Sequence, residues 1–320
     1  MSFVAAEIES QPDSWLRAAK LAHTPEVANA LPPPDARVAI VGCGTSLYMA
    51  QSCAVLRENA GLGETDAFPA SEFPHSRRYD HVVALTRSGT TTEVIRLLEA
   101  LPKRNSTVLT TAATRPAAQL AGATVALDFA DEQSVVQTRF ATTALALWRA
   151  HLGENLDGAV EDARRQLRRD LPDRLVACDQ FTFLGSGWTV GLANEAALKL
   201  REASRSWTES YPAMEFRHGP ISIVDEGSAV WLFGPAPAGL VDEITATGAL
   251  VVQANIDPMA ALVGAQRLAV ALAARKGLDP DSPRHLTRSI ILADQMSEHR
   301  RLATPRSGCR CGSHVLGGSE

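Results

Sequence analysis

The sequence predicts an α/β protein made of two tandem, doubly wound parallel-sheet domains. Apolar strand-like runs alternate with helical patterns from residue 36 onward, and glycine-containing turns join several strands to the following helix. The alternation restarts after a polar helix that ends at Leu171-Pro172. Strands alternating with helices form βαβ units, whose right-handed crossovers keep the strands parallel. The expected divisions are a helical lead-in at 1–35, domains at 36–153 and 154–292, and a disordered tail at 293–320.

The first half of the chain contains the lead-in and four strand-like runs. Amphipathic helices occupy residues 5–31 and end at Pro32-Pro33-Pro34, because proline cannot continue a helix. The apolar runs that follow have the lengths typical of buried strands. The predicted strands are 37–42, 81–86, 106–111 and 123–127, with helices from the first glycine turn to about Gly61 and from 94 to 101.

A second, shorter copy of this pattern follows the polar helix at 154–171. No clear fifth strand is recognisable in it, although the strand-to-helix alternation is the same. The predicted order is strand 180–184, helix 188–204, strand 229–233, helix 239–247, strand 249–254 and helix 258–275.

Composition excludes several classes of protein. The formal net charge of −5 argues against a nucleic-acid surface, which needs concentrated positive charge. No apolar run reaches the roughly 18 residues needed to cross a bilayer, and the N-terminus lacks a signal-peptide pattern. The five cysteines are an odd number in a chain without a secretory signal. We therefore expect a cytoplasmic protein with reduced thiols, no membrane contact and no nucleic-acid partner.

Two strand-to-helix turns of the first half have the same chemistry. Residues 42–46 and 86–92 both combine glycine with several hydroxyl side chains just before a helix begins. Backbone N–H groups, hydroxyl donors and the positive end of a helix suit a phosphate monoester. Neither turn fits a nucleotide-binding motif. Ordinary helix capping by serine and threonine is the alternative for either turn alone, and the occurrence of two such turns favours phosphate.

The helix predicted at 188–204 places three charged residues on one face. Glu195, Lys199 and Glu202 are spaced i, i+4 and i+7. The helix follows a strand and the turn Gly185-Ser186-Gly187, a position where open α/β sheets bind ligands. This face is suited to proton transfer. A solvated Glu-Lys stripe with no function is the alternative.

Seven motifs follow one another along residues 5–292. They are Gly42-Cys-Gly-Thr-Ser, Ala70-Ser-Glu-Phe73, Arg87-Ser-Gly-Thr, Glu132-Gln-Ser-Val-Val-Gln-Thr-Arg139, Glu195-Ala-Ala-Leu-Lys-Leu-Arg-Glu202, Glu215-Phe-Arg-His-Gly-Pro220 and Asp279-Pro-Asp-Ser-Pro-Arg-His-Leu-Thr-Arg288. In this order they resemble the motifs of the tandem sugar-isomerase (SIS) family, whose domains have a flavodoxin-like fold. The pattern is similar to the isomerase half of glucosamine-6-phosphate synthase and to stand-alone amino-sugar-phosphate deaminases and deglycases, and the resemblance covers roughly residues 5–292.

The resemblance implies where a sugar phosphate would bind. Arg87 occupies a position that is glutamine in the synthase and often arginine in the stand-alone enzymes. Val135 falls where the family makes a backbone contact to the sugar. The residues that fall on the family's phosphate site are Thr45, Ser46, Thr86, Ser88 and Thr91.

The resemblance also implies two proton-transfer residues. Glu202 matches the glutamate that moves a proton between C1 and C2, a task that suits a carboxylate base. His218 matches the histidine that opens the sugar ring, and imidazole titrates near neutral pH. In that family the histidine comes from the neighbouring subunit, so a homodimer is implied. A turn histidine that merely satisfies its hydrogen bonds is the alternative for His218.

Two departures from the synthase change the expected chemistry. We expect no amidotransferase domain, so ammonia is not drawn from glutamine. The lysine that forms an imine with the ketose in the synthase is Arg288 here, and a guanidinium cannot form that imine. Lys199 is the one lysine in the candidate site. An aldosamine phosphate carries its own nitrogen, so we predict an amino-sugar 6-phosphate deaminase or isomerase without metal or organic cofactor, in which Arg288 holds the phosphate or a sugar hydroxyl.

Other functions stay open at this point. Isomerisation of a neutral sugar phosphate, or cleavage of a sugar-amine adduct, would use the same residues. A non-catalytic phosphosugar sensor is an alternative of another class, but it would have no use for Glu202 together with His218. A zinc site formed by Cys309, Cys311 and His314 is not expected, because it offers three ligands where structural zinc takes four.

Overall fold

In the computed structural model, which describes residues 2–292, nine strands form two parallel sheets. Sheet A has the strand order β2-β1-β3-β4-β5 and sheet B the order β7-β6-β8-β9. The strands are β1 Val38–Gly42, β2 Thr65–Pro69, β3 His81–Leu85, β4 Ser106–Thr110, β5 Ala123–Ala126, β6 Gln180–Gly185, β7 Trp207–Pro212, β8 Ser228–Phe233 and β9 Leu250–Val252.

Twelve α-helices connect and cover these strands within the described residues. They are α1 Phe3–Glu9, α2 Gln11–Ala22, α3 Pro25–Ala30, α4 Thr45–Asn59, α5 Thr92–Ala100, α6 Pro116–Leu120, α7 Arg139–His151, α8 Asp157–Arg168, α9 Asp173–Ala177, α10 Thr189–Ser204, α11 Leu240–Ala246 and α12 Pro258–Arg275. No helix among residues 2–292 is long and apolar enough to cross a bilayer.

The predicted α/β class and the parallel strand pairing are confirmed. Two strands were not predicted, β2 and β7, and each lies at the outer edge of its sheet. Their side chains are mostly half-buried, and polar residues such as Asp66 and Glu209 interrupt the apolar pattern. An edge strand buries less apolar surface than a central strand, so its periodicity is weak in the sequence.

Both sheets lie in one compact unit that extends to Ile290, and a second unit begins at Ile291. One buried apolar cluster contains side chains from both sheets, including Ile40 of β1 and Phe183 of β6. The predicted domain boundary near residue 154 therefore stays a prediction. Of the second unit, only Ile291 and Leu292 fall within the described residues, and both are exposed. The predicted disordered tail lies outside the described residues.

Helix α10 packs between the two halves of the unit, against α4 and α12. Gly191 makes the approach to α4 possible, because a Cβ at this position would lie 2.3 Å from the Tyr48 carbonyl oxygen. Alanines 193, 196 and 197 of α10 are fully buried. Small side chains thus bring α10 close to the turn that precedes α4.

Candidate active site

The two hydroxyl-rich turns lie side by side at the carboxyl edge of sheet A. Residues 42–46 follow β1 and residues 86–92 follow β3, and these strands are neighbours in the sheet. From β1 the chain continues to β2 on one side, and from β3 it continues to β4 and β5 on the other side. The two turns therefore lie at the topological switch point of the sheet, where α/β proteins bind ligands. The tertiary structure therefore brings together the two turns that the sequence selected.

Backbone geometry in these turns requires glycine. Gly44 and Gly89 have φ of 55° and 65°. A Cβ on Gly42 would lie 2.5 Å from the backbone of Ser46, which is closer than any real contact. The glycines let the chain turn tightly from strand to helix.

The predicted phosphate ligands differ in exposure. Thr45, Ser46 and Thr86 are buried, whereas Ser88 and Thr91 are half-buried. The Thr86 hydroxyl is buried and makes no hydrogen bond with another described residue. A buried donor without a partner costs free energy, so this hydroxyl is suited to bind an anion in the turn.

Lys199 connects the first turn to the charged face of α10. Its Nζ donates a hydrogen bond of 2.9 Å to Thr45 Oγ1 and also contacts the carboxylate of Glu202. Glu195 Oε1 lies 3.5 Å from the same Nζ. The side chains of Glu195 and Lys199 are 0% and 1% exposed, and that of Glu202 is 19% exposed. The alternative of a solvated stripe is therefore wrong, and Glu202 is the carboxylate of this cluster that solvent reaches.

Burial shifts the titration of this cluster. It raises the pKa of Glu195 to about 8, against the opposing effect of the nearby Lys199 ammonium. Burial also disfavours the charged form of Lys199, but the carboxylates of Glu195 and Glu202 outweigh it and hold the pKa of Lys199 above its ordinary value. Lys199 is thus an ammonium at neutral pH. Glu195 is mostly in its protonated, uncharged form at the same pH, so one ammonium faces one ionised carboxylate, that of Glu202.

Arg87 points away from the hydroxyls of its turn, into the protein. Its guanidinium is 1% exposed, lies 3.3 Å from Glu132 and donates to the carbonyl oxygens of Ser134 and Val135 at 3.1 Å. A further bond reaches the carbonyl of Arg288 at 3.3 Å. In this structure Arg87 fixes neighbouring chain segments.

Val135 has both of its backbone polar groups bonded within the protein. Its N–H donates to the carbonyl of Asp281 at 3.3 Å, and its carbonyl accepts from Arg87. The segment around Val135 is therefore held between Arg87 and the chain that follows α12.

The chain after α12 returns to the turn at 86–92. The Ser289 hydroxyl lies 3.1 Å from Ser88 Oγ, 3.0 Å from Thr90 Oγ1 and 3.4 Å from Thr91 Oγ1. The guanidinium of Arg288 instead contacts the Glu132 carbonyl and the Asp131 carboxylate. Ser289, the residue after Arg288, thus forms hydrogen bonds with Ser88 and Thr91, two of the hydroxyls that were predicted to bind phosphate.

His218 is exposed on a turn that follows β7. It ends the 3-10 turn Glu215–His218, which buried Phe216 anchors, and its side chain is exposed. Within residues 2–292 no hydrogen bond or ion pair joins His218 to Glu202 or Lys199. The His218 imidazole is thus open to solvent.

Sequence reasoning missed Glu132 and Ser289 as participants in this arrangement, and it did not predict the burial of Glu195. Glu132 stood in a recognised motif, so a signal existed, but nothing in it indicated that Arg87 was its partner. Glu195 was recognised as part of the charged face without its burial. Ser289 had no signal, because its contacts join positions 201 residues apart.

The described residues contain no cluster of histidine, cysteine or acidic side chains suited to a metal ion. Cys309, Cys311 and His314, which were considered as zinc ligands, lie outside the described residues.

The fold is that of phosphosugar isomerases and related enzymes. Glucosamine-6-phosphate deaminase from Thermotoga maritima has the same fold, with a TM-score of 0.73 and 24% identity over 91% of this chain and all of that chain. The C-terminal domain of glucosamine-fructose-6-phosphate aminotransferase from Francisella tularensis gives 0.72, with 20% identity over 88% of this chain and 98% of that one. Tagatose-6-phosphate ketose/aldose isomerase from Escherichia coli gives 0.71, with 19% identity over 92% of this chain and 97% of that one.

Comparison of sequences relates the chain to one group of these enzymes. The chain is 27% identical over 304 residues to the isomerizing glutamine–fructose-6-phosphate aminotransferase of Methanothermobacter thermautotrophicus, covering 80% of this chain and 52% of that protein. The enzyme of Gloeobacter violaceus is 28% identical over 320 residues, with the same two coverages. The chain spans about half the length of these relatives, and no protein-family model matches it. The resemblance seen in the motifs is confirmed: the chain is related to the isomerizing aminotransferases and shares its fold with phosphosugar isomerases.

Proposed function

We propose that the chain is a phosphosugar enzyme that isomerises and deaminates an amino-sugar 6-phosphate. The observation that carries this proposal is the contact of Lys199 with both Thr45 and Glu202. It places a partly exposed carboxylate and an ammonium directly beside a turn suited to phosphate. An anion anchor next to a base and a cation is the arrangement that enolisation of a bound sugar phosphate requires.

The proposed reaction begins with phosphate binding. Backbone N–H groups and hydroxyls of the two turns, including Thr86, bind the phosphate oxygens. Glu202 removes the proton from C2 of the open-chain aldosamine, while the Lys199 ammonium stabilises the negative charge that develops on O1. Glu202 then delivers its proton to C1. The resulting C2 iminium adds water and releases ammonia, which leaves a ketose 6-phosphate.

The nitrogen in this scheme comes from the substrate. Lys199 is held as an ammonium by its acidic neighbours, so it is a poor nucleophile for imine formation. Arg288 cannot form an imine either. Because neither residue is suited to form an imine with the sugar, we favour a reaction whose substrate carries its own amine.

We further propose that the enzyme is a homodimer in which His218 opens the sugar ring in the partner's site. The exposed position of His218, on a turn without a hydrogen bond or ion pair to Glu202 among the described residues, supports a role in another subunit. Imidazole can pass a proton to the ring oxygen near neutral pH.

A second candidate is aldose-ketose isomerisation of a neutral sugar phosphate. It uses the same base and ammonium, and the likeness of the fold to tagatose-6-phosphate ketose/aldose isomerase favours it as the alternative. The proton transfers are the same in both reactions, which differ in whether C2 carries nitrogen or oxygen; only the amino sugar then adds water and releases ammonia.

A substrate panel tests the proposal. The purified protein is incubated with hexosamine and hexose 6-phosphates, and ammonia release and ketose formation are measured separately. We expect both products from a hexosamine phosphate. Glu202→Gln should lower turnover by about 100-fold or more while phosphate-dependent binding persists. Glu99→Gln, an exposed residue of α5, is the matched control with wild-type turnover. Tight binding of one sugar phosphate without turnover of any would show a sensor instead.

A further inference from the structure

Glu195 takes no part in the proposed reaction steps, yet its carboxyl group lies in an environment that is uncommon for a carboxylate. Its carboxyl group is fully buried, and neither oxygen accepts a hydrogen bond of ordinary length and angle from a described residue, although the Thr45 hydroxyl and the Lys199 ammonium lie close to it. The nearest charge is the Lys199 ammonium at 3.5 Å. Buried carboxylates are normally hydrogen-bonded several times, as Glu132 is through Thr138 and Arg139.

The charges around Glu195 do not balance if every group is ionised. Lys199 and Glu202 act on Glu195 from its own helix, and Thr45 is the polar group that faces it from α4. Among the described residues, α12, β6, β7 and β8 also pack on α10 but add no charged group to the surroundings of Glu195. Glu132 acts on Lys199 from a greater distance, and its charge is paired with that of Arg87. One ammonium therefore faces two carboxylates. Glu202 contacts Lys199 directly and is partly solvated, so the excess proton resides on the buried Glu195.

We propose that Glu195 is a positioning residue that stores one proton and exchanges it with Lys199 during the reaction. This inference rests on the proposed function. Lys199 is the intermediary because its Nζ lies between Glu195, Thr45 and Glu202. Glu195 itself, at 0% exposure, does not touch the substrate.

With this role for Glu195, every proton that moves in the reaction has a donor and an acceptor. When Glu202 takes the C2 proton, the C1–O1 double bond becomes a single bond and O1 needs a proton. Lys199 donates a proton to O1, and the neutral Glu195 carboxyl returns one to Lys199 and becomes a carboxylate. Glu202 later protonates C1. The water that adds to the C2 iminium loses a proton, which passes through Lys199 back to Glu195 as ammonia leaves.

Replacement of Glu195 by glutamine separates proton storage from packing. Glutamine keeps the size and the neutral charge of the protonated carboxyl but cannot give up a proton at these pH values. We expect Glu195→Gln to lower kcat by about 100-fold with little change in KM, in line with the loss of one proton-transfer group. Wild-type kcat should fall above pH of about 8, where Glu195 ionises, and the variant should lack this alkaline limb. Ser204→Ala, a buried change on the same helix outside the cluster, is the matched control.

Infrared spectroscopy gives a second readout that does not depend on turnover. The wild type at pH 7 should show the C=O band of a buried protonated carboxyl, and the band should disappear in Glu195→Gln or when the wild type is titrated above pH of about 8. A variant with wild-type kcat and an intact alkaline limb would overturn the inference, as would a wild type without the band. If the wild type turns over no sugar phosphate but shows the band, the proposed function fails while proton storage by Glu195 stands.

Discussion

The buried ion pair between Arg87 and Glu132 gives the sharpest stability prediction. The two side chains are 1% and 0% exposed, and their closest atoms are 3.3 Å apart. The other carboxylate oxygen of Glu132 accepts hydrogen bonds from the backbone N–H groups of Thr138 at 2.6 Å and Arg139 at 2.7 Å. Glutamine at position 132 would present its NH₂ group either to the guanidinium or to these N–H donors. In both orientations a buried donor loses its acceptor and the charge of Arg87 loses its partner.

Breaking one partner of a buried pair costs about 3–5 kcal/mol, so Glu132→Gln should lower the free energy of unfolding by that amount. Urea denaturation followed by circular dichroism measures the change. Glu154→Gln is the matched control: Arg149 is also buried, at 7% exposure, but keeps Asp257 at 2.7 Å, and the Glu154 side chain is 37% exposed. This control should cost less than about 1 kcal/mol. Equal stability of the wild type and Glu132→Gln would refute the reasoning that the pair stabilises the site.

Three further predictions concern other parts of the site. Because the folded pKa of Glu195 is about 8 against an ordinary 4.5, the wild type should lose folding free energy as pH rises through this window, whereas Glu195→Gln should not. The difference in unfolding free energy between the two proteins should change by about 4 kcal/mol between pH 5 and pH 8, at about 1.4 kcal/mol per pH unit. A difference that stays the same in parallel urea titrations at these two pH values would contradict the prediction. Gly191→Ala should destabilise by about 1–3 kcal/mol, because its Cβ meets backbone of α4, whereas Gly158→Ala, with open space around it, should stabilise by up to about 1 kcal/mol. Ser289→Ala should remove the hydrogen bonds that Ser88 and Thr90 make to Ser289, while the bond between Thr90 and Ser88 stays, and should tighten binding of inorganic phosphate by about fivefold, as one hydrogen bond is worth about 1 kcal/mol. Calorimetry that finds weaker binding would make Ser289 a phosphate ligand instead.

The local pattern of the chain was sufficient to predict most of the elements. The helix predicted at 188–204 is Thr189–Ser204, and the one at 258–275 is Pro258–Arg275. Both have caps or a long apolar period that depend only on nearby residues. The edge strands β2 and β7 were missed because half-buried strands lack a clear alternation, and their pairing with β1 and β6 is a tertiary contact.

For the site, the sequence by itself determined which residue types face one another locally. The i, i+4, i+7 spacing placed Glu195, Lys199 and Glu202 on one side of a helix, and glycine with hydroxyls marked the two turns. Only the tertiary structure decided that Glu195 is buried without a hydrogen bond, that Arg87 pairs with Glu132 across 45 positions, and that Ser289 reaches the second turn across 201. Burial and long-range contacts depend on how helices and sheets pack, and the periodicity of a single element does not contain that information.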